Sequence, residues 1–172
     1  MAVTQLSQRS LGAINNPNAT YTLASQTTLQ KLFATTTNGA LTVEAGTTYF
    51  FECEFNLSAM SATSGAFSFG FLGTATFTSL KYTSIAAKSA IGTPSTTQIV
   101  TATVATATAL VTASVTTTGH AFIRGVIRTN AAGTIIPAVA LGIASAGIVG
   151  VDSWFTLIKA GTNTSTLFGA WT

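Results

Sequence analysis

Polar and apolar positions alternate most regularly around residues 48–57, where Tyr49, Phe51, Cys53, Phe55 and Leu57 fall on one face and Thr48, Phe50, Glu52, Glu54 and Asn56 on the other. A period of two is that of a strand with one face in a core. Phe67, Phe69 and Phe71 repeat it, and Gly73 separates them from residues 74–78, expected to return as the second half of a hairpin. Upstream, Asn38-Gly39 marks a turn, and residues 41–43 form a short strand that leads to a turn at Ala45-Gly46. Downstream, the Ala/Thr/Val run over residues 99–115 favours strands over helix, because its β-branched residues lack a 3.6-residue period. Residues 121–129 predict another strand, residues 130–133 its turn, and residues 135–143 the answering strand, with Pro137 pointing to an edge or a bulge. Residues 154–159 give the last strand, and Phe168 to Trp171 bring aromatics back to close the core.

Residues 1–38 differ. They are rich in Gln, Thr, Ser and Asn, with isolated apolar residues at Val3, Leu6, Leu11, Ile14, Leu23, Leu29, Leu32 and Phe33. Such a segment buries little by itself, so it is read as an extended N-terminal arm held by a neighbouring subunit, with residues 27–33 either a short helix or an edge strand. The expected architecture is therefore all-β: an antiparallel β-sandwich or jelly roll over residues 39–172, preceded by an arm over residues 1–38 that serves as an assembly contact.

Composition sharpens the picture. Only 6% of the 172 residues are charged, 47% are hydrophobic, and about a fifth are threonine, whereas ordinary soluble domains carry about 25% charge. Few ionisable side chains are left for catalysis, and the residue types in excess are those that fill strands. The net charge of +3 comes from Arg9, Lys31, Lys81, Lys88, Arg124, Arg128 and Lys159, scattered along the chain rather than clustered. That pattern argues against a nucleic-acid partner. Residues 1–10 show no apolar run behind a positive charge, so the chain is expected to be made and assembled inside a cell. The uncharged stretch over residues 129–151 is long enough to span a bilayer, but Gly133, Gly142, Gly147, Gly150 and Pro137 interrupt it. Strands are the better reading, with no membrane partner.

Candidate chemistry is sparse. Glu52 and Glu54 share a strand face at a separation of about 7 Å, within the range glycosidases use, yet no third polar group tunes either, and pairing with Arg124 and Arg128 on another strand is the simpler expectation. His120 is the sole histidine and follows Gly119, an ordinary turn position; only Asp152 and the glutamates could complete a metal site, and no His/Cys spacing supports zinc. Cys53 cannot form an intrachain disulfide, and the neighbouring Glu52 and Glu54 disfavour a thiolate, so it is read as core filler. Neither a nucleophile elbow nor a phosphate loop is present. Asn18, Asn56 and Asn163 begin glycosylation sequons of the kind a Thr/Ser-rich chain produces by chance. No catalytic, cofactor-binding or metal-binding residue is assigned, and an enzyme is not expected.

The segments Tyr21-Thr-Leu-Ala-Ser, Gln30-Lys-Leu-Phe33, Asn38-Gly-Ala-Leu-Thr-Val, Ala45-Gly-Thr-Thr-Tyr-Phe-Phe-Glu-Cys53, Ser58-Ala-Met-Ser and Gly125-Val-Ile-Arg-Thr-Asn-Ala-Ala-Gly-Thr134 together resemble a domain of phage virion proteins. The resemblance spans residues 21–171 and implies a jelly-roll module, often trimeric, at the exposed end of a capsid decoration, head-fibre or tail-fibre protein. It brings no catalytic residue. No repetitive shaft or coiled coil precedes the module, so the resemblance implies a capsid decoration or cement protein. Such a protein would bind the major capsid protein as a homotrimer on the virion. A head- or tail-fibre module that contacts a host surface glycan is the alternative.

Overall fold

The computed structural model describes residues 10–15, 19–33, 40–88, 94–102, 107–112 and 116–164. These contain strands and no helix. The early strands are β1 (Ser10–Asn15), β2 (Tyr21–Thr22), β3 (Gln30–Lys31), β4 (Leu41–Val43) and β5 (Thr47–Ser58). Next come β6 (Phe67–Leu72), β7 (Thr76–Lys88), β8 (Pro94–Ala102) and β9 (Thr108–Val111). The last are β10 (Gly119–Ala131), β11 (Gly133–Leu141), β12 (Ile148–Val149) and β13 (Trp154–Thr162).

They form two antiparallel sheets. The larger runs β1-β13-β5-β10-β7-β8, with β12 pairing both β5 and β2; the smaller runs β3-β11-β6-β9, with β4 also on β11. The protein is an antiparallel β-sandwich, as its alternation predicts. Tyr49, Phe51, Cys53, Phe55 and Leu57 all face inward from β5 and are buried.

Two expected hairpins are instead crossings between sheets. β6 pairs β11 and β9, while β7 pairs β10 and β8, so residues 74–78 do not fold back on the phenylalanine strand. Gly73 makes the crossing at φ +124°, and a Cβ there would lie 2.1 Å from the Thr134 carbonyl oxygen, so only glycine fits. Likewise β10 lies in the larger sheet and β11 in the smaller. The turn at residues 130–133 is a corner, because both strands must present an apolar face to one core. Pro137 lies on β11, which has neighbours on both sides. β4 pairs residues Gly133–Ile135 and β3 pairs Ala138 and Val139, so Pro137 falls in the gap between them. Its carbonyl accepts the Leu32 amide at 3.0 Å on that side, and no ladder hydrogen bond is lost for want of its N–H.

The segment read as an arm is extended, and its described parts pair with the chain's own strands. β1 pairs β13, β2 pairs β12 and β3 pairs β11. Leu23, Leu32 and Phe33 enter the core. The Leu23 amide donates to the Gly147 carbonyl at 2.8 Å, and Gln30 grips Ala24 from both sides, accepting its N–H at 2.8 Å and donating to its carbonyl at 3.2 Å. Of the two options for residues 27–33, a strand is formed, at Gln30–Lys31. The expected closure by Phe168 and Trp171 lies outside the described residues.

Aromatic rings interlock between the sheets. Phe51, Phe55, Tyr82 and Phe155 come from the larger sheet, and Phe67, Phe69 and Phe71 from the smaller. Phe51 meets Phe71 edge-on at 5.3 Å and stacks on Phe155 at 6.0 Å; Phe69 meets Phe71 at 5.1 Å and Tyr82 at 5.8 Å. Gly125 makes room for them, since a Cβ there would sit 2.5 Å from Tyr82 Cβ and 2.8 Å from Phe51 Cε1. Phe69→Ala is expected to lower unfolding free energy by about 3–5 kcal/mol in chemical denaturation, from lost transfer energy and an unfilled cavity. Gly125→Val, whose branches cannot be placed, should abolish soluble expression.

Candidate functional site

Because β5, β10, β7 and β13 turn their apolar faces to the core, their alternate residues form one outer face. The strand registers set its rows. Ile158, Phe50, Val126 and Lys81 lie side by side across the four strands; the next row is Thr156, Glu52, Arg124 and Thr83, and the next Trp154, Glu54, Phe122 and Ile85. Phe50 is 51% exposed, Ile85 48% and Ile158 37%. Large hydrophobics are this open elsewhere among the described residues only at Ile143 and Val151, both in loops. The other sheet turns smaller or half-buried residues outward, among them Ser68, Thr134, Ile136 and Ala140.

Charge on the face is divided. Glu52 and Glu54 stand on β5, whereas Arg124 and Arg128 on β10 and Lys81 on β7 make the other half basic. The expected pairing of the glutamates with the arginines is not what forms. Glu54 Oε1 lies 3.0 Å from His120 Nε2, and its Oε2 accepts the Trp154 indole N–H at 3.2 Å. Arg128 donates instead to the Asn163 carbonyl at 3.1 Å. Glu52 and Arg124 are directly opposed in register, both exposed, yet neither side chain takes part in an ion pair or hydrogen bond among the described residues. They line a shallow depression of about 450 Å³ with Phe50, Thr83, Val126, Thr156 and Ile158.

His120 is not at a turn. It is the second residue of β10, opposite Asn56, and two positions along the ladder from Glu54. The Glu54–His120–Trp154 cluster was not readable from sequence, because its members come from three strands whose relative registers had to be known first. Among the described residues no three of His, Cys, Asp and Glu converge as a metal site would require. Of the sequon asparagines, Asn56 is exposed on β5, while Asn163 is a structural tie: it accepts the Thr48 hydroxyl at 2.8 Å and donates to the Thr129 carbonyl at 2.8 Å. Asn18 lies outside the described residues. No helix of the described residues is long and apolar enough to cross a membrane.

Cys53 lies fully inside, and burial pushes its thiol well above the ordinary range, with the Glu54 carboxylate adding to the effect. No protein-family model and no curated protein sequence matches this chain.

The raised Cys53 pKa has a testable sign. An unfolded thiol ionises at about pH 8.5, while the folded one keeps its proton, so stability is present below that pH and falls above it by about 1.4 kcal/mol per unit. Denaturation midpoints measured from about pH 7 to about pH 9.5 should fall more steeply for the native chain than for Cys53→Ala. Native Cys53 should also resist alkylation until the protein is unfolded.

Proposed function

We propose that this chain is a non-enzymatic structural protein of a phage virion, a capsid decoration or cement protein that binds and stabilises the shell as a homotrimer. The observation that carries the reading is the open outer face of the larger sheet, which holds Phe50, Ile85 and Ile158, the exposed large hydrophobics of the described strands, and on which charge is sorted by strand. Its fold supports the same reading. The chain crosses repeatedly between the two sheets, which is compatible with the jelly-roll module that the resemblance of its turn and strand segments implies. A composition of 6% charged residues favours a subunit that shares apolar surface with others. Bound around capsid subunits, such modules resist internal pressure by adding contacts between neighbours. The partner is then the major capsid protein, and the site of action is the virion surface after assembly in the host cytoplasm.

A second reading is favoured by one feature. Trp154 and Phe122 flank Glu54 and His120, and an aromatic surface beside hydrogen-bonding groups suits a sugar ring. On that reading the chain is a head- or tail-fibre module that contacts a host surface glycan.

Purified protein mixed with undecorated shells of the encoding phage should cosediment saturably, and light scattering of the free protein should give three times the single-chain mass. A trimer that ignores shells but binds host cells would move the assignment to the fibre module.

A further inference from the structure

We infer that the outer face of β13, β5, β10 and β7 is the surface through which copies of this chain meet, with Glu52 of one copy set against Arg124 of the next. The inference rests on the self-association in the reading above and names where it occurs. Charge is the first argument. The face carries acids on β5 and, on β10 and β7, the bases Arg124 and Lys81, which form no ion pair among the described residues, so one half of it is complementary to the other half of a second copy. A capsid surface would need an independently matched charge pattern; another copy supplies the match by symmetry.

Glu52 and Arg124 themselves make the second argument. They oppose each other in register but form no ion pair with each other or with any other described residue, which leaves both available across a contact. Flanking them, Phe50, Val126 and Ile158 on one side and Phe122 and Ile85 on the other provide the apolar surface that excludes water from such a pair.

Charge exchange tests this directly. Glu52→Arg alone and Arg124→Glu alone each set like charges across the contact, and both should fall to single-chain mass in light scattering with thermal unfolding otherwise cooperative. The double variant Glu52→Arg/Arg124→Glu should regain the native mass. Mixing the two single variants discriminates further. A two-membered assembly can pair them fully, whereas a three-membered ring cannot alternate, so recovery of a stable heterodimer would support the face while overturning the three-fold count. Phe50→Ser should weaken association without touching charge. If the native protein is an oligomer and every variant keeps its mass, the inference is wrong and the shell-binding reading stands. If masses change as expected but shells are not bound, the functional reading fails alone; a monomeric native protein removes both the trimer and this face.

Discussion

The alignment of aromatic rings between the two sheets is the constraint from which most of the molecule follows. Phe51, Phe55 and Phe155 from one side and Phe67, Phe69 and Phe71 from the other lock at centroid distances of 5.1–6.5 Å. A strand has only two faces, so fixing Phe51 and Phe55 inward fixes Phe50, Glu52 and Glu54 outward. A slip of one residue would exchange the sets and bury two carboxylates. The same rings explain why Gly125 interrupts β10, since the space its side chain would take is already filled. Register and outer face are thus two consequences of one packing arrangement.

Parts of this arrangement are legible in the sequence because they are local. The alternation over residues 48–57 gives both the strand and its buried face, and Phe67, Phe69 and Phe71 do the same for β6. What residues 74–78 and 135–143 pair with is not legible, because a short glycine-containing turn serves a hairpin or a corner equally well and the choice depends on how two sheets close over one core. The sparse Leu23, Leu32 and Phe33 carry no periodic signal either; each fills a separate slot along strands distant in sequence. His120 shows the same limit at the candidate site. Its neighbour Glu54 is 66 residues away, and only the β5–β10 register brings them together.

The outer face joins these facts to function. Its apolar residues are held out by the packing of the core beneath them, so their exposure is a property of the fold and not of side-chain choice at a loose surface. Its charges lie on separate strands, and the one opposed pair in the middle row is left unjoined among the described residues. Three strands place a tryptophan, a glutamate and a histidine beside that row. A chain this poor in charge spends two of its seven basic residues and two of its four acidic ones, Lys81, Arg124, Glu52 and Glu54, on that part of a single face.

The most direct measurement of whether this face is covered by another copy is photo-crosslinking from position 50. A photoreactive phenylalanine analogue in place of Phe50 reports whatever lies within a few ångströms of that ring. The account predicts a covalent product of two or more chains, with the attachment mapped to the outer residues of β10, β7 or β13 of a second copy. A folded protein that yields only intrachain products, or attachment to the opposite sheet, would contradict it.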